Sequence, residues 1–319
     1  MPELPEVETI RLGLQKYLVG HTIEEIEVRL PKMVSGEIKF VHGARVKGVR
    51  RFGKGLVIDL ANDYSIAVHI KMTGQLIYKS SKVPKGTKVS EKVGGELPNK
   101  FTHVIFHLSH PELAAQKGRA YLVSGSQSKK EMPKRVRHDN NRGDAVLYYN
   151  DIRQFGWIKI VKSEKLKEIS FFKELGPELF PSAGQPALAV DQFKTILSKA
   201  KGPIKPLLMD QKKIGGVGNI YANDALFVAR IHPKRKANSL SEKESERLFE
   251  ALKKVLAKGL EAGGASEWQY VNALGEAGKY QEFFQVYGKQ GMKCPRCGEV
   301  IKKIVMAGRG TFFCSGCQR

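Results

Sequence analysis

The chain has 319 residues, of which 41% are apolar, and its 54 Lys and Arg against 32 Asp and Glu give a formal net charge of +22. That length allows two or more domains, and the basic surplus favours a polyanionic partner such as a nucleic acid, with a basic ribosomal protein as the alternative that charge alone leaves open. No apolar run approaches the roughly 18 residues of a membrane span. Early acidic residues and cysteines confined to the end of the chain predict a cytosolic or nucleoid protein, not an exported one.

The first part of the chain predicts one helix followed by a β-rich domain. A helix is predicted from Pro5 to about Leu18, because Val7, Ile10 and Leu14 recur at helical spacing and Pro is common in a first turn. Eight short β-prone runs follow, at Thr22–Leu30, Arg45–Val49, Leu56–Leu60, Ile66–Ile70, Gln75–Tyr78, His103–Leu108, Val146–Tyr149 and Trp157–Val161. Their number and spacing predict a β-sandwich or a barrel-like domain.

Three stretches without such periodicity divide the chain. Residues 80–100 and 109–142 are rich in Lys, Gly and Ser, and are predicted to be long, mobile surface loops. Residues 174–186 (ELGPELFPSAGQP) are interrupted by Pro and Gly and are predicted to form a linker.

Helical patterns follow the linker. Short helices are predicted around residues 190–197 and 204–209, and a third begins near Asn219. Ser241 and Glu244 have the spacing of a capping box and open a longer helix that ends before Gly263. The predicted fold class is α+β multidomain, with a β domain at 1–173, a linker at 174–186, a helical domain at 187–288 and a small tail at 289–319.

The tail carries the most specific motif in the chain. Cys294 and Cys297 form one CxxC pair, Cys314 and Cys317 form a second, and sixteen residues lie between the pairs. Four thiolates at this spacing can hold one tetrahedral zinc ion at the base of a β-hairpin. Because all four positions are filled by protein, the predicted zinc is structural. The alternative of two redox motifs lacks the βαβ context that such motifs need.

Two glycine-flanked segments are candidate phosphate sites. Residues 307–310 are predicted to be the turn of the zinc hairpin, with Arg309 at its tip facing a groove or a phosphate. The Gly-rich run 215–218 precedes the helix at Asn219, and free backbone N–H groups at such a helix start bind anions. A solvated turn arginine and a glycine-rich helix start without a ligand are the ordinary alternatives.

The amino terminus suggests a nucleophile. If Met1 is removed, Pro2 carries a free secondary amine, and its attack on a sugar aldehyde carbon would give an iminium that cannot lose its charge by deprotonation at nitrogen. Such a cation is an electron sink suited to breaking neighbouring C–O bonds. A second group, Met72, Arg153 and Phe155, lies beside turns and contains the side-chain types that wedge into a base stack. Either group taken alone also fits ordinary packing.

Taken together these motifs resemble the formamidopyrimidine-DNA glycosylase family, the formamidopyrimidine branch of its superfamily, over nearly the whole chain. The matching segments are PELPEVE, RRFGKG, HIKMTG, DIRQFG, LLMDQKKIGGVGNIYANDALFVARIHP, QVYGKQG and the CxxC pairs. The resemblance implies a β-sandwich with an amino-terminal helix, a helix–two-turns–helix domain and a zinc-finger hairpin. It also implies a bifunctional enzyme that removes oxidised purines from double-stranded DNA and cleaves the abasic site, acting as a monomer.

The resemblance also implies roles for individual residues. Pro2 would attack the sugar C1′, Glu3 would act as the acid/base group with Glu6 in support, and Lys54 would hold a phosphate beside the lesion. Met72, Arg153 and Phe155 would fill the gap left by the flipped nucleotide. Six further residues would contact the phosphates around the kink, namely His69, Lys205, Asn219, Tyr287, Lys303 and Arg309.

The chain departs from the family pattern at two positions. Gln154 replaces the second of two arginines before Phe155, which leaves a strict opposite-base preference open, and Val305 stands where a hairpin lysine is frequent. An endonuclease VIII-like enzyme for oxidised pyrimidines is the nearest alternative, and Leu4 disfavours it because that branch usually has Gly there. A noncatalytic damaged-DNA-binding protein is the other alternative, and the presence of Pro2, Glu3 and Lys54 together disfavours it.

Overall fold

The computed structural model describes residues 1–81, 83–109 and 145–319. The chain opens with helix α1 (Leu4–Tyr17), close to the predicted bounds, and Pro5 lies in its first turn. The strands that follow are β1 (Thr22–Val28), β2 (Val34–Ser35), β3 (Ala44–Phe52), β4 (Gly55–Leu60), β5 (Tyr64–His69), β6 (Gly74–Ser80), β7 (Thr102–Ser109), β8 (Ala145–Asp151) and β9 (Trp157–Lys162). All eight predicted strands are present, and β2 is an addition of two residues that the sequence did not predict.

The nine strands form one sheet in the order β2-β9-β5-β4-β3-β1-β7-β8-β6. Strands β1 and β3 are joined by only two residue pairs, Thr22 with Arg45 and Ile23 with Ala44, so the sheet has two halves. Side chains from both halves, including Val68 of β5 and Phe106 of β7, belong to one buried hydrophobic cluster. This arrangement confirms the predicted β-sandwich with an amino-terminal helix.

The first predicted surface loop is anchored to the core. Within residues 80–100, Val93 is only 1% exposed and packs with Ile77 and Val271. The Ser90 backbone N–H donates to the Gly275 carbonyl at 2.8 Å. Most of the other described residues of this stretch are exposed, so it is a surface loop as predicted, anchored at Ser90 and Val93; its mobility stays a prediction. Of the second predicted loop, all but Ser109 lies outside the described residues.

Five helices follow the sheet; the last four build a second core, whereas the first packs on the sheet through Phe171 and Phe172. They are α2 (Ser170–Lys173), α3 (Val190–Ser198), α4 (Ile204–Met209), α5 (Asn219–Val228) and α6 (Glu242–Glu261). The predicted capping box opens α6, because the Ser241 hydroxyl accepts from the Glu244 N–H at 3.3 Å and the Glu244 carboxylate accepts from the Ser241 N–H at 2.9 Å. Leu248, Leu252 and Leu256 of α6 are buried in this core. Among the described residues, none of the helices combines the length and apolar character needed to cross a membrane.

The tail folds as a hairpin of β10 (Lys302–Met306) and β11 (Arg309–Phe313). Its turn consists of Ala307 and Gly308, both with positive φ, at 46° and 69°. The sequence predicted a four-residue turn with Arg309 at its tip, whereas Arg309 is the first residue of β11 and pairs with Met306. Two successive left-handed residues close the hairpin, so the second strand begins two residues earlier than expected.

Helix α1 joins the two cores. Leu4 packs in the helical core, while Val7, Ile10 and Leu14 pack in the β core. The helix packs against both β3 and α6. The start of the chain is therefore held between the β-sandwich and the helical domain.

Candidate active site

A cavity of about 740 Å³ lies where the β-sandwich, the helical domain and the zinc hairpin meet. Three groups of residues line it. They are Met1, Glu3, Lys54, Met72, Thr73, Ile152 and Arg153 from the amino-terminal part, Met209, Gln211, Gly218, Asn219, Ile220, Trp268, Gln269 and Tyr287 from the helical part, and Gly308, Arg309 and Gly310 from the hairpin. Seven residues of the predicted site line this cavity: Glu3, Lys54, Met72, Arg153, Asn219, Tyr287 and Arg309.

Glu3 is fixed at the amino end of α5. Its Oε1 accepts from the Ile220 N–H at 2.9 Å, so the partial positive charge of the helix end faces a carboxylate. Gly218 permits this approach, since a Cβ built there would lie 2.3 Å from the Glu3 Cδ. The anion at this glycine-rich helix start is thus the protein's own carboxylate. Among the described residues Glu3 Oε2 is buried without a hydrogen-bond partner.

Glu6 supports Glu3 from inside the protein. Its Oε2 accepts from the Glu3 N–H at 2.7 Å, and its Oε1 accepts from the Tyr221 hydroxyl and the Ala265 N–H, both at 2.7 Å. Burial raises the pKa of the Glu6 carboxyl, and the negative charge of Glu3 adds to the effect. Both oxygens of Glu6 are thus occupied by protein donors, and Glu6 orients the start of the chain.

Lys54 and the amino terminus lie at the same wall. The Lys54 ammonium is 3% exposed and donates to the Val217 carbonyl at 2.9 Å. Burial lowers the pKa of Lys54, and Arg309 lowers it further against the opposing charges of Glu3 and Glu6. Burial likewise lowers the pKa of the Met1 amino group. Met1 lines the cavity and Pro2 beneath it is buried, so removal of Met1 would open the Pro2 nitrogen to the cavity.

The predicted wedge is assembled at the mouth of the cavity. The Arg153 guanidinium lies 4.8 Å from the centre of the Phe155 ring and donates to the Met72 Sδ at 3.1 Å. Phe155 is 53% exposed. A large aromatic side chain with this much exposed surface is typical of a site where another molecule binds. Gln154, which stands where the family pattern has a second arginine, is exposed. Its φ of 55° is left-handed, as in a tight turn.

Two residues that sequence reasoning missed hold the wedge in place. Asp151 is fully buried, and its carboxylate accepts from the Thr73 hydroxyl, from the Arg153 N–H at 3.2 Å and from the Gly156 N–H at 2.8 Å. The Thr73 hydroxyl in turn accepts from the Arg153 N–H at 2.9 Å. An Asp whose side chain accepts from the backbone two residues later is a recognised turn signal, and it was present in the motif DIRQFG.

His69 is a neutral side chain beside the cavity. Burial, with the nearby charges of Lys71 and Lys54, lowers the pKa of His69 to about 3. Its Nδ1 accepts from the Lys71 N–H at 3.0 Å, which places the ring proton on Nε2. His69 is thus a neutral hydrogen-bond donor through Nε2.

Lys205 is held by protein acceptors. Its Nζ donates to Asn219 Oδ1 at 2.7 Å, the Gly310 carbonyl at 3.0 Å and the Thr311 hydroxyl at 2.7 Å. The side chain is 1% exposed, and burial lowers the pKa of Lys205 to about 8. An ammonium has three donors, and all three are used here. The contacts connect α5 to the strand that starts with Arg309.

The remaining residues predicted to contact phosphates are Arg309 and Lys303 on the zinc hairpin and Tyr287 before it. Arg309 is exposed and reaches the cavity, and Tyr287 lines the cavity next to Asn219. Lys303 is exposed on β10, with its ammonium 5.5 Å from the centre of the Phe312 ring, and it does not line the cavity. His69, Phe155 and Lys205 also lie outside the cavity lining, at its rim or behind its wall.

The four cysteines at the base of the hairpin fit a zinc ion. The Sγ atoms of Cys294, Cys297, Cys314 and Cys317 all lie within 4.8 Å of one another. A tetrahedral site with Zn–S bonds of about 2.3 Å requires sulfurs about 3.8 Å apart, and the Cys294 and Cys317 sulfurs are separated by 3.8 Å. This grouping confirms the predicted single structural zinc site.

Comparison with known proteins gives consistent matches over the whole chain. The chain matches the models of the formamidopyrimidine-DNA glycosylase N-terminal domain over residues 1–158, the formamidopyrimidine-DNA glycosylase H2TH domain over residues 175–269, and the zinc finger found in FPG and IleRS over residues 291–319. The formamidopyrimidine-DNA glycosylase of Pelotomaculum thermopropionicum is 37% identical, with 100% of this chain and 99% of that protein aligned.

Two solved structures extend the comparison to DNA complexes. Wild-type Lactococcus lactis Fpg bound to a DNA containing N7-benzyl-Fapy-dG superposes with a TM-score of 0.76 at 31% identity, covering 100% of both chains. The Lactococcus lactis Fpg complex with a DNA containing an abasic site also gives 0.76 at 31% identity, covering 99% of both chains.

Proposed function

Because the chain belongs to the formamidopyrimidine-DNA glycosylase family, we propose that it is a bifunctional DNA glycosylase and abasic-site lyase for oxidised purines in double-stranded DNA. The observation that carries the proposal is the position of the amino terminus, which lies in one cavity with Glu3 and Lys54. The proposed substrates are 8-oxoguanine and formamidopyrimidines, and the reaction is the excision step of base excision repair.

The chemistry begins at Pro2. After removal of Met1, the Pro2 nitrogen forms a bond to C1′ of the extruded nucleoside while the bond from C1′ to the base breaks, and the base takes a proton from solvent. The proton that the Pro2 nitrogen loses passes to the Glu3 carboxylate, which returns it to O4′ as the C1′–O4′ bond opens to an iminium. Loss of the C2′ proton expels the 3′ phosphate, loss of the C4′ proton expels the 5′ phosphate, and water then hydrolyses the iminium and frees Pro2. The unpartnered Glu3 Oε2 supports its assignment as the group that exchanges these protons.

The electrostatics of the cavity favour a neutral nucleophile. Burial lowers the pKa of the amino group at Met1; the negative charges of Glu3 and Glu6 oppose this, Lys54 and Arg309 act in the same direction as burial, and the net pKa is lowered. An amino group at Pro2 would be exposed to the same charges, and a lowered pKa leaves more of it unprotonated near neutral pH. Lys54 thereby serves two purposes, since it also supplies positive charge for a phosphate beside the lesion.

DNA binding is assigned to the wedge and the surrounding donors. Extruding a nucleotide costs a few kcal/mol, which stacking of Met72, Arg153 and Phe155 into the gap would offset in part. Arg309, Asn219 and the neutral His69 are donors placed for phosphates around the kink, and the zinc ion would hold the hairpin that carries Arg309. The net charge of +22 supports attraction of the duplex.

The domain boundaries, the oligomeric state and the cellular location are proposed as they were predicted from the sequence. We propose functional units at 1–173, 187–288 and 289–319 with a linker at 174–186, a monomeric enzyme, and action in the bacterial cytosol or nucleoid. Leu4 supports the purine branch over the oxidised-pyrimidine branch. It is 1% exposed, and a Cβ on Gly216 would lie 2.7 Å from its Cδ1, so the residue is fitted to the glycine-rich loop.

Borohydride trapping tests the proposal. The mature protein is incubated with a duplex containing one 8-oxoguanine and reduced, and the expected product is a covalent protein–DNA adduct that peptide mapping places at Pro2. The matched control is the same chain with an uncleaved extension before Met1, which leaves the Pro2 nitrogen in a peptide bond and should give no adduct at that residue. A mature protein that binds the duplex yet yields no adduct would be the noncatalytic binder.

A further inference from the structure

Trp268 is an exposed aromatic side chain in the wall of the candidate active site. It is 64% exposed, more than Met1 and Ile152, the other large apolar residues of the cavity that are exposed, at 37% and 38%. A large indole left open to water is uncommon at random on a folded surface and is frequent where a ligand covers it. It lines the cavity together with Glu3 and Lys54, where the sugar would react.

The segment that carries Trp268 is fixed on both sides. Before the tip, the Ala265 N–H donates to Glu6 Oε1 at 2.7 Å and the Ser266 hydroxyl donates to the Tyr270 carbonyl at 2.7 Å. After it, the Gln269 carbonyl accepts from Gln75 Nε2 at 2.7 Å. Only Glu267 and Trp268 stand exposed between these anchors. The loop therefore presents the indole from a preorganised base, which reduces the entropy lost when a ligand contacts it.

The other tryptophan of the chain shows a different environment. Trp157 in β9 is half-buried, and its ring lies 6.3 Å from Phe171 and 6.4 Å from Phe172 in edge contacts. The Trp157 ring is thus partly covered by side chains of the protein itself, whereas the described residues do not cover Trp268 in this way.

We propose that Trp268 is the stacking platform for the extruded damaged base and a determinant of which bases are excised. The inference rests on the proposed function, since it takes the cavity as the site of the extruded nucleoside. A flat indole recognises the π-face that every base has, and the overlap is larger for a two-ring base than for a one-ring base. Trp268 therefore favours the bicyclic 8-oxoguanine over the ring-opened formamidopyrimidine.

Comparing two reactions of one enzyme tests the proposal. Single-turnover base excision from an 8-oxoguanine duplex is measured beside cleavage of the same duplex carrying a preformed abasic site, which has no base to stack. Trp268→Leu should slow excision about tenfold to a hundredfold, which is about 1.4 to 2.8 kcal/mol, and change abasic cleavage less than about twofold. Trp268→Tyr, which keeps an aromatic face, should restore most of the excision rate, and the loss on a formamidopyrimidine duplex should be smaller.

Two results of this comparison overturn the proposal. They are an equal fall of both reactions in Trp268→Leu, which indicates general damage to the site, and an unchanged excision rate. A wild-type protein inactive on both duplexes refutes the proposed function instead.

A binding measurement remains informative even without turnover. In a Trp157→Phe background Trp268 is the only tryptophan, and its fluorescence should be quenched by the 8-oxoguanine duplex and much less by a duplex with a reduced abasic site. Equal quenching by the two duplexes would overturn the stacking role.

Discussion

Replacing Gly218 by alanine should separate catalysis from DNA binding. A Cβ at this position would lie 2.3 Å from Glu3 Cδ and 2.5 and 2.6 Å from its two oxygens, whereas ordinary contact begins at 3.4 Å. Relief of this clash requires the carboxylate and the Gly218 backbone to separate by about 0.7 to 1.1 Å, and the flexible Glu3 side chain is the part that yields most easily. A displacement of about 1 Å at a reacting group can cost about 100-fold in rate, or about 2.7 kcal/mol of transition-state stabilisation. The Gly218→Ala enzyme should show that loss in excision.

The assay is single-turnover excision of 8-oxoguanine, with affinity for an uncleavable abasic duplex measured in parallel. DNA affinity should change little, because the three atoms nearest to the added Cβ all belong to Glu3 and none belongs to the wedge residues or to Arg309. Gly202→Ala is the matched control, since a Cβ there meets no atom within 4 Å. An excision rate for Gly218→Ala equal to that of the control would show that the position of the Glu3 carboxylate does not limit the reaction.

Three further predictions address the surrounding contacts. His69→Gln should weaken DNA binding by the same factor at pH 5.5 and pH 8, because a His69 pKa of about 3 leaves the ring neutral across that range; a loss that grows as the pH falls below about 6.5 would indicate a charged contact. Lys205→Met and Arg309→Ala should be non-additive in a double-mutant cycle of DNA affinity, because Lys205 fixes the strand that presents Arg309; additive losses would indicate that Lys205 contacts a phosphate itself. Cys297→Ser should release zinc and abolish DNA binding while the circular dichroism of the β-sandwich persists, and unchanged affinity would contradict a role for the hairpin.

The features that local sequence determines were predicted well. Helix α1, the strands and the capping box at Ser241 follow from periodicity and short-range hydrogen bonding, which the sequence displays directly. The cysteine spacing likewise predicted a zinc site that the clustered sulfurs confirm. The hairpin turn was misplaced because positive φ at Ala307 is not visible from residue type, since alanine rarely adopts it.

Contacts between segments that are distant in the sequence could not be predicted from local sequence patterns. The glycine-rich run before α5 predicted an anion site, but nothing local identifies the anion as Glu3, 215 positions before Gly218 in the chain. Lys205 was expected to grip a phosphate, a role that remains a prediction, and its three protein acceptors come from α5 and β11, which only the folded chain brings together. The anchored loop at Val93 depends in the same way on Val271.

One buried carboxylate links the chemistry to base recognition. Glu6 holds the Glu3 backbone through Oε2 and the start of the Trp268 loop through Oε1, so the proposed acid/base residue and the proposed platform share a support. Tyr221, which also donates to Glu6, extends from α5, the helix whose first turn binds the Glu3 side chain. Moving the loop away would remove a donor from Glu6 and so disturb the position of Glu3. The alignment of Glu3, the proposed acid/base group, therefore depends on the Ala265 end of the loop staying in place.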